Sequence, residues 1–311
     1  MEPAPLFDDV ADAPAGGVAE WRQAADGQRL RLAHWRPEGA RGTVLMLPGR
    51  TEYVEKYGPT ATEFAKSDLA MIAIDWRGQG LSDRMLDDPM GGHVMHFADF
   101  QQDFDVMLQA AADHDLPKPW YLLGHSMGGA IGLRALNRGA PVERAAFSSP
   151  MWGIQMSASL RPMAWGLSWV ARRVRMDHTY APGTSGASYP NATPFDGNML
   201  THDRDQYDWM ARQVEKHPEL GLGGPSLRWL NEALVECRAL AALASPDIPC
   251  LTVLGSEEMI VDPARIRSRM DRWPGGRLMM VEGGRHECMM ETPERRDAVF
   301  DALRAHFTAD R

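Results

Sequence analysis

Cysteine is scarce. Cys237, Cys250 and Cys288 are the only three in 311 residues, and they stand far apart without metal-type spacing. That pattern argues against a disulfide framework and a cysteine-based zinc site, and reads as reduced thiols in a cytoplasmic protein. No apolar run reaches the roughly 18 residues a membrane-spanning helix needs. Residues 1–17 are acidic with Pro and Ala and lack a basic start followed by an apolar core; a flexible segment without a secretory signal is expected. Positive charge is outnumbered, with 33 Lys and Arg against 42 Asp and Glu, a net charge of −9. Nucleic-acid partners, which need clustered cations, are therefore not expected. Strong attraction to an anionic bilayer is not expected either, which leaves only transient contact at the inner membrane surface. No metal pattern or internal repeat is visible. A dinucleotide fingerprint also fails, because after Gly78-Gln79-Gly80 its third glycine would fall at Asp83. No cofactor or metal is expected.

What is present is an ordinary globular composition, 44% hydrophobic and 24% charged, over a length that suits one large α/β domain carrying an insertion. Two strand-like runs, 18–25 and 28–35, flank Asp26-Gly27, a strong hairpin signal. Short apolar runs at 42–47, 70–74, 120–123, 144–147, 250–254 and 278–281 predict buried strands. Helical stretches lie between several of them, and an amphipathic helix over 293–307 follows the last. The alternation predicts an α/β fold, a mostly parallel twisted sheet with helices on both faces. Residues 151–247 hold helical patterns at 160–173, 202–216 and 226–244 but no convincing buried strand. The expected division is thus a core of 18–150 and 246–311, interrupted by a helical cap over 151–245.

Chemistry concentrates where strands end. After the 120–123 strand comes Gly124-His125-Ser126-Met127-Gly128, then a helical apolar run. Strand, sharp turn with serine at its tip, and helix form the setting of a G-x-S-x-G nucleophile elbow. A serine hydroxyl needs a base, and the base needs an orienting acid. His286 follows the last strand and is the expected base, ahead of His125, His34, His93, His96 and His306. Past the 250–254 strand, Glu257, Glu258 and Asp262 compete for the acid position. Glu258 is favoured, and Asp262, which precedes Pro263, reads as a helix N-cap. The expected oxyanion donors are the amides of Met127 and Arg50, the second on the loop after the 42–47 strand. The Arg50 side chain has two readings, pairing with Glu52 or touching a polar substrate group. Asp75 and Arg77 are expected to order their loop rather than catalyse.

Pro48-Gly49-Arg50-Thr51-Glu52, Asp75-Trp76-Arg77-Gly78-Gln79-Gly80-Leu81-Ser82, Gly124-His125-Ser126-Met127-Gly128-Gly129 and Gly284-Arg285-His286 together resemble α/β-hydrolases of the lysophospholipase and monoacylglycerol lipase family. The bacterial lysophospholipase branch is most similar, through Pro48-Gly49-Arg50 and Gly91-Gly92-His93-Val94; Asn198-Met199-Leu200-Thr201 is also similar to a family segment in the cap. The resemblance implies the α/β-hydrolase fold, an acyl-enzyme mechanism and a helical cap over the site. The position of Glu258 is usually Asp in that family, which keeps Asp262 in play. Pro48 replaces a residue that is often His, while the backbone N–H is retained.

For the substrate, the expectation is a lipid-like monoacyl ester, a lysophospholipid or monoacylglycerol. Met151 and Trp152 are placed at the cavity entrance, and Leu160, Met163, Leu167 and Val170 fall on one face of a cap helix. Arg172, Arg173 and Arg175 could meet a phosphate head group or simply face solvent. A peptidase or small-ester esterase on the same core is the alternative function, followed by a non-catalytic binding protein.

Overall fold

Nine strands form one sheet: β1 (Glu2–Pro3), β2 (Val18–Gln23), β3 (Arg29–Trp35), β4 (Gly42–Leu47), β5 (Leu69–Asp75), β6 (Trp120–His125), β7 (Arg144–Ser148), β8 (Cys250–Gly255) and β9 (Gly276–Val281). Their spatial order is β1-β2-β3-β5-β4-β6-β7-β8-β9. Strands β4 to β9 run parallel, whereas β1, β2 and β3 form an antiparallel edge that joins β5 through β3. The structure is a computed structural model describing residues 2–157 and 159–309; Met1, Ala158, Asp310 and Arg311 lie outside the described residues.

β4, β5, β6 and β8 are buried at every position. A sheet covered on both faces has no solvent side, so its strands read as unbroken apolar runs. The pleat then sorts the side chains. Leu45, Leu47, Ile72, Ile74 and Leu122 join one core cluster, and Val44, Met46, Met71, Ala73 and Leu123 join the other.

Ten helices are described: α1 (Asp8–Ala11), α2 (Gly58–Ala65), α3 (Phe100–Asp113), α4 (Met127–Asn137), α5 (Leu160–Arg173), α6 (Tyr189–Ala192), α7 (Arg204–Lys216), α8 (Leu227–Ala242), α9 (Pro263–Met270) and α10 (Pro293–Thr308). On one face, α3 and α4 supply Phe104, Met107, Ile131 and Leu133. On the other, α10 buries Val299, Phe300, Leu303 and Phe307. Phe64 of α2 packs against the rings of Phe300 and Phe307, whose centroids lie 6.2 and 5.8 Å away. Removing one such buried ring costs about 3–5 kcal/mol.

Two features bear on the expected division. Residues 2–11 make contacts with distant parts of the chain. β1 pairs with β2, the Phe7 ring stacks on His217, and Gln213 Nε2 donates to the Val10 carbonyl at 2.8 Å. An acidic, Pro-containing start looks unstructured locally, but its partners lie far along the chain. The span 151–245 also divides. Ala233, Cys237 and Leu240 of α8 belong to the same large core cluster as α3 and α4, so α8 is part of the core packing. The physical cause is its apolar face, which the sheet-side helices cover.

Because parallel strands end on the same edge, the loops after β4, β6, β7, β8 and β9 open together. They carry Arg50, Ser126, Met151, Glu258 and His286 respectively.

Candidate active site

Ser126 sits between β6 and α4 with φ 47° and ψ −116°, a conformation that L side chains rarely adopt. Strain of this kind costs about 1–3 kcal/mol and persists only where surroundings impose it. Here the Ser126 amide donates to the Ser148 carbonyl at 3.1 Å, and its own carbonyl accepts from Met151 and Gly129 at 2.8 and 2.9 Å. The flanking glycines are steric requirements. A Cβ on Gly128 would run into the carbonyls of Leu47 and Pro48, and one on Gly124 would meet the Gly128 carbonyl oxygen at 2.8 Å.

His286 is buried on the loop after β9, and its Nδ1 lies 2.7 Å from Glu258 Oε2. The other carboxylate oxygen of Glu258 accepts from the amides of Ile260 at 2.6 Å and Val261 at 3.0 Å. Burial opposes ionisation of Glu258, but the attraction and hydrogen bond of His286 and the two amides hold its pKa below the ordinary value. With a carboxylate at Nδ1, that nitrogen carries the imidazole proton and Nε2 is left as an acceptor.

The rival acids are engaged elsewhere. Asp262 Oδ1 caps α9 by accepting from Ala264 and Arg265 at 3.1 and 3.3 Å, and Oδ2 faces Arg161 at 3.4 Å. Glu257 is exposed and pairs with His202 at 2.9 Å. Glu258, not Asp262, is brought to His286.

Beneath this pair lies a group the sequence did not announce. Lys56 Nζ bridges Glu52 at 2.5 Å and Glu287 at 2.6 Å, and all three are buried. Tyr57 Oη and the Gly49 amide also donate to Glu52. His125 turns its Nε2 toward Glu287 and Glu52, at 3.3 and 3.5 Å, while its ring tilts against His286 with centroids 4.9 Å apart. Burial would raise the Glu287 carboxyl, yet His125 and Lys56 hold it well below the usual carboxylate range. Glu52, His125 and Glu287 come within metal-ligand reach of one another, but the cation already bridging the carboxylates is the Lys56 ammonium. Glu52 reaches the loop after β4 and Glu287 adjoins His286, so the network ties these two loops together. Only the adjacency of Glu287 to His286 hinted at it.

A cavity of about 540 Å³ opens beside these loops, with Ser126 and His286 both on its wall. Its apolar lining includes Met151, Ile154, Leu200, Met210, Leu222 and Trp229. Trp152, expected at the entrance, does not line it. The Trp152 indole donates to the Gly129 carbonyl and packs between Phe147 and Trp273, because side chains alternate direction leaving a strand. Arg172, Arg173 and Arg175 are also absent from the cavity wall. Arg172 pairs with Glu232 at 3.0 Å, and Arg173 lies over Trp169, 3.3 Å from its ring centroid.

Arg50 does line the cavity, but it does not pair with Glu52, whose carboxylate Lys56 holds. Met127 opens α4, where a helix's first amides lack intrahelical partners. Among the described residues, neither the Met127 nor the Arg50 amide donates to a protein acceptor. Of the competing histidines His34, His93, His96, His125 and His306, none is on the cavity wall. His93 Nδ1 meets Ser226 Oγ at 2.9 Å, His306 Nε2 meets the Ala145 carbonyl at 3.0 Å, and His34 packs on His114. Asp75 orders the loop after β5, accepting from Val54 and Leu81, while Arg77 is fixed by Asp103 and Asp26.

Residues 38–293 match the hydrolase family described as serine aminopeptidase, S33. The chain belongs to that family. It is 31% identical over 303 residues to lysophospholipase L2 of Escherichia coli K12, covering 91% of this chain and 87% of that protein. It is 26% identical over 280 residues to monoglyceride lipase of Mus musculus, covering 87% and 84%. Among solved structures, a soluble variant of monoglyceride lipase from Saccharomyces cerevisiae, in complex with a substrate analog, superposes with a TM-score of 0.72 at 18% identity, covering 93% of this chain and 96% of that one. The architecture is the α/β-hydrolase fold, and the hydrolase carries its Ser126 elbow and His286 loop at the strand ends where that fold exposes its functional loops.

Proposed function

We propose that this protein is a serine carboxylic-ester hydrolase acting on lipid-like monoacyl esters, lysophospholipids or monoacylglycerols, through an acyl-enzyme. The observation that carries the reading is the 2.7 Å contact of Glu258 with His286 on the wall of the cavity that Ser126 also lines. Ser126 Oγ attacks the ester carbonyl as His286 Nε2 takes its proton, and Glu258 stabilises the resulting imidazolium. The Met127 and Arg50 amides receive the oxyanion. His286 then returns the proton to the departing alcohol, and water, activated by the same imidazole, releases the fatty acid. Met151 and its apolar neighbours suit an acyl chain, since lipid cavities are mostly apolar with few polar groups.

The names of the relatives support an ester rather than a peptide. An aminopeptidase needs a free carboxylate for the substrate's ammonium group, and the cavity's Glu52 and Glu287 are already bound to Lys56. Membrane contact belongs to the same reading. α5 exposes Leu160, Met163, Leu167 and Val170 on one side, an apolar face suited to transient insertion at a lipid surface. No helix among the described residues is long and apolar enough to cross a membrane.

Covalent labelling with a fluorophosphonate, paired with turnover of a monoacyl ester panel and a Ser126→Ala blank, tests the reading. Labelling and turnover that both vanish in the blank are expected. Labelling that survives in Ser126→Ala would overturn it.

A further inference from the structure

Two permanent cations line the cavity, and they differ in one respect. Lys56 is neutralised by Glu52 and Glu287. The Arg50 guanidinium meets no carboxylate among the described residues. Its Nη2 donates to the Gly223 carbonyl, its Cζ lies 5.3 Å from the centroid of the Trp229 ring, and Nε is buried without a hydrogen-bond partner. Among the described residues Nη1 makes no hydrogen bond either. Gly92 lets it lie this close, because a Cβ there would meet Nη2 at 3.2 Å.

A buried charge is ordinarily paired, since leaving water without a counter-ion is unfavourable. Burial lowers the Arg50 pKa to about 10, which leaves the guanidinium cationic at neutral pH. The protein thus holds a partly buried positive charge, with its Nε fully buried, on the wall of its cavity, and the described residues supply no anion for it. A guanidinium offers five N–H donors in a planar fork that matches phosphate oxygens.

We propose that the Arg50 side chain is the head-group subsite, receiving the phosphodiester of a lysophospholipid whose acyl ester lies at Ser126. This rests on the ester-hydrolase reading above. One residue then serves both ends of the substrate's polar half: its amide faces the oxyanion, and its side chain runs along the wall toward Gly223 and Trp229. Lys56 offsets one of the two carboxylate charges, on Glu52 and Glu287, that would repel the phosphate. A monoacylglycerol presents only a hydroxyl at this point and leaves the charge unpaired, so the subsite discriminates between the two lipids.

The test compares the lauroyl esters of glycerol and of glycerophosphoglycerol below their micellar concentrations, using wild type, Arg50→Gln and Arg50→Lys. In Arg50→Gln the ratio of kcat/KM for the phospholipid to kcat/KM for the neutral lipid should fall about tenfold to a hundredfold, chiefly through KM, as loss of a charged hydrogen bond predicts. Arg50→Lys should recover part of that ratio. Equal losses on both substrates would mean that Arg50 only positions the Gly223 loop, and would overturn the subsite. Failure of wild type to hydrolyse either lipid would sink the ester-hydrolase reading itself, a separate result. If Arg50→Gln does not fold, wild type alone decides. Competitive inhibition of monoacylglycerol hydrolysis by glycerol phosphate, but not by glycerol or butyrate, supports the subsite. Equal inhibition by butyrate, or none by glycerol phosphate, overturns it.

Discussion

His286 Nδ1 and Glu258 Oε2 lie 2.7 Å apart, and the remaining oxygen of Glu258 is held by two backbone amides. Glutamate's longer arm is therefore pinned at its far end, which compensates for the extra methylene relative to aspartate. Glu258→Gln should lower kcat about 10³–10⁴-fold by disfavouring the working tautomer of His286. Asp262→Asn should leave kcat within a few-fold and cost under about 0.5 kcal/mol, because Asn caps helices as well as Asp. Steady-state kinetics on a soluble ester, with denaturant melts, checks both. The reverse ranking would transfer the acid role to Asp262.

The strained backbone at Ser126 makes a stability prediction. Ser126→Gly removes the proposed nucleophile but relieves the positive φ. It should abolish turnover while raising stability by about 1 kcal/mol, the low end of the usual strain range. A thermal melt should show a Tm higher by a few degrees. An unchanged or lower Tm would mean the turn stores no strain.

Gly128 should tolerate nothing larger. A Cβ there collides with main-chain carbonyls of Leu47 and Pro48, which lead into the loop of Arg50 and cannot rotate away. Gly128→Ala is expected to cost about 3 kcal/mol and to depress kcat beyond what stability explains. Activity measured at a temperature where the variant is fully folded separates the two effects.

Acid lability should trace to buried histidines. Burial pushes His306 down to about 4 from an ordinary 6.5, with its Nε2 at the Ala145 carbonyl. The folded pKa is depressed, so between pH 6.5 and 4 the unfolded chain takes up the proton first. The associated stability is whole above pH 6.5 and is lost as pH falls toward 4, of order 2–3 kcal/mol. His306→Gln, which keeps a donor but cannot titrate, should flatten the drop in urea midpoint between pH 7 and 4.5. An equally steep drop in the variant would exonerate His306.

The exposed face of α5 carries the membrane prediction. Introducing charge by Met163→Glu with Leu167→Glu should weaken co-sedimentation with vesicles about tenfold or more, since a charged residue opposes transfer from water. Turnover of vesicle-borne lipid should fall more steeply than turnover of a dissolved short-chain ester. A parallel fall in both would point to cap packing instead.

By itself the sequence determined eight of the nine strands, the longer helices and the Ser126 elbow. These depend on local rules: apolar runs for strands buried on both faces, period 3.6 for helices, and glycine where carbonyls crowd a turn. His286 was legible for the same reason, as a residue just past a strand. The tertiary structure alone decided which carboxylate faces it, because Glu258 and Asp262 share one loop and only its fold aims them apart. It also turned Trp152 into the core, docked residues 2–11, and moved α8 onto the core helices. The Lys56 bridge to Glu287 joins residues 231 positions apart, a pairing no local pattern encodes. Arg50 shows both levels at once: its amide was legible from the strand before it, while the direction of its side chain was decided by Gly92, Gly223 and Trp229, all distant in sequence. Backbone periodicity is written in neighbouring residues; the partners of a buried charge are chosen only when the chain closes around it.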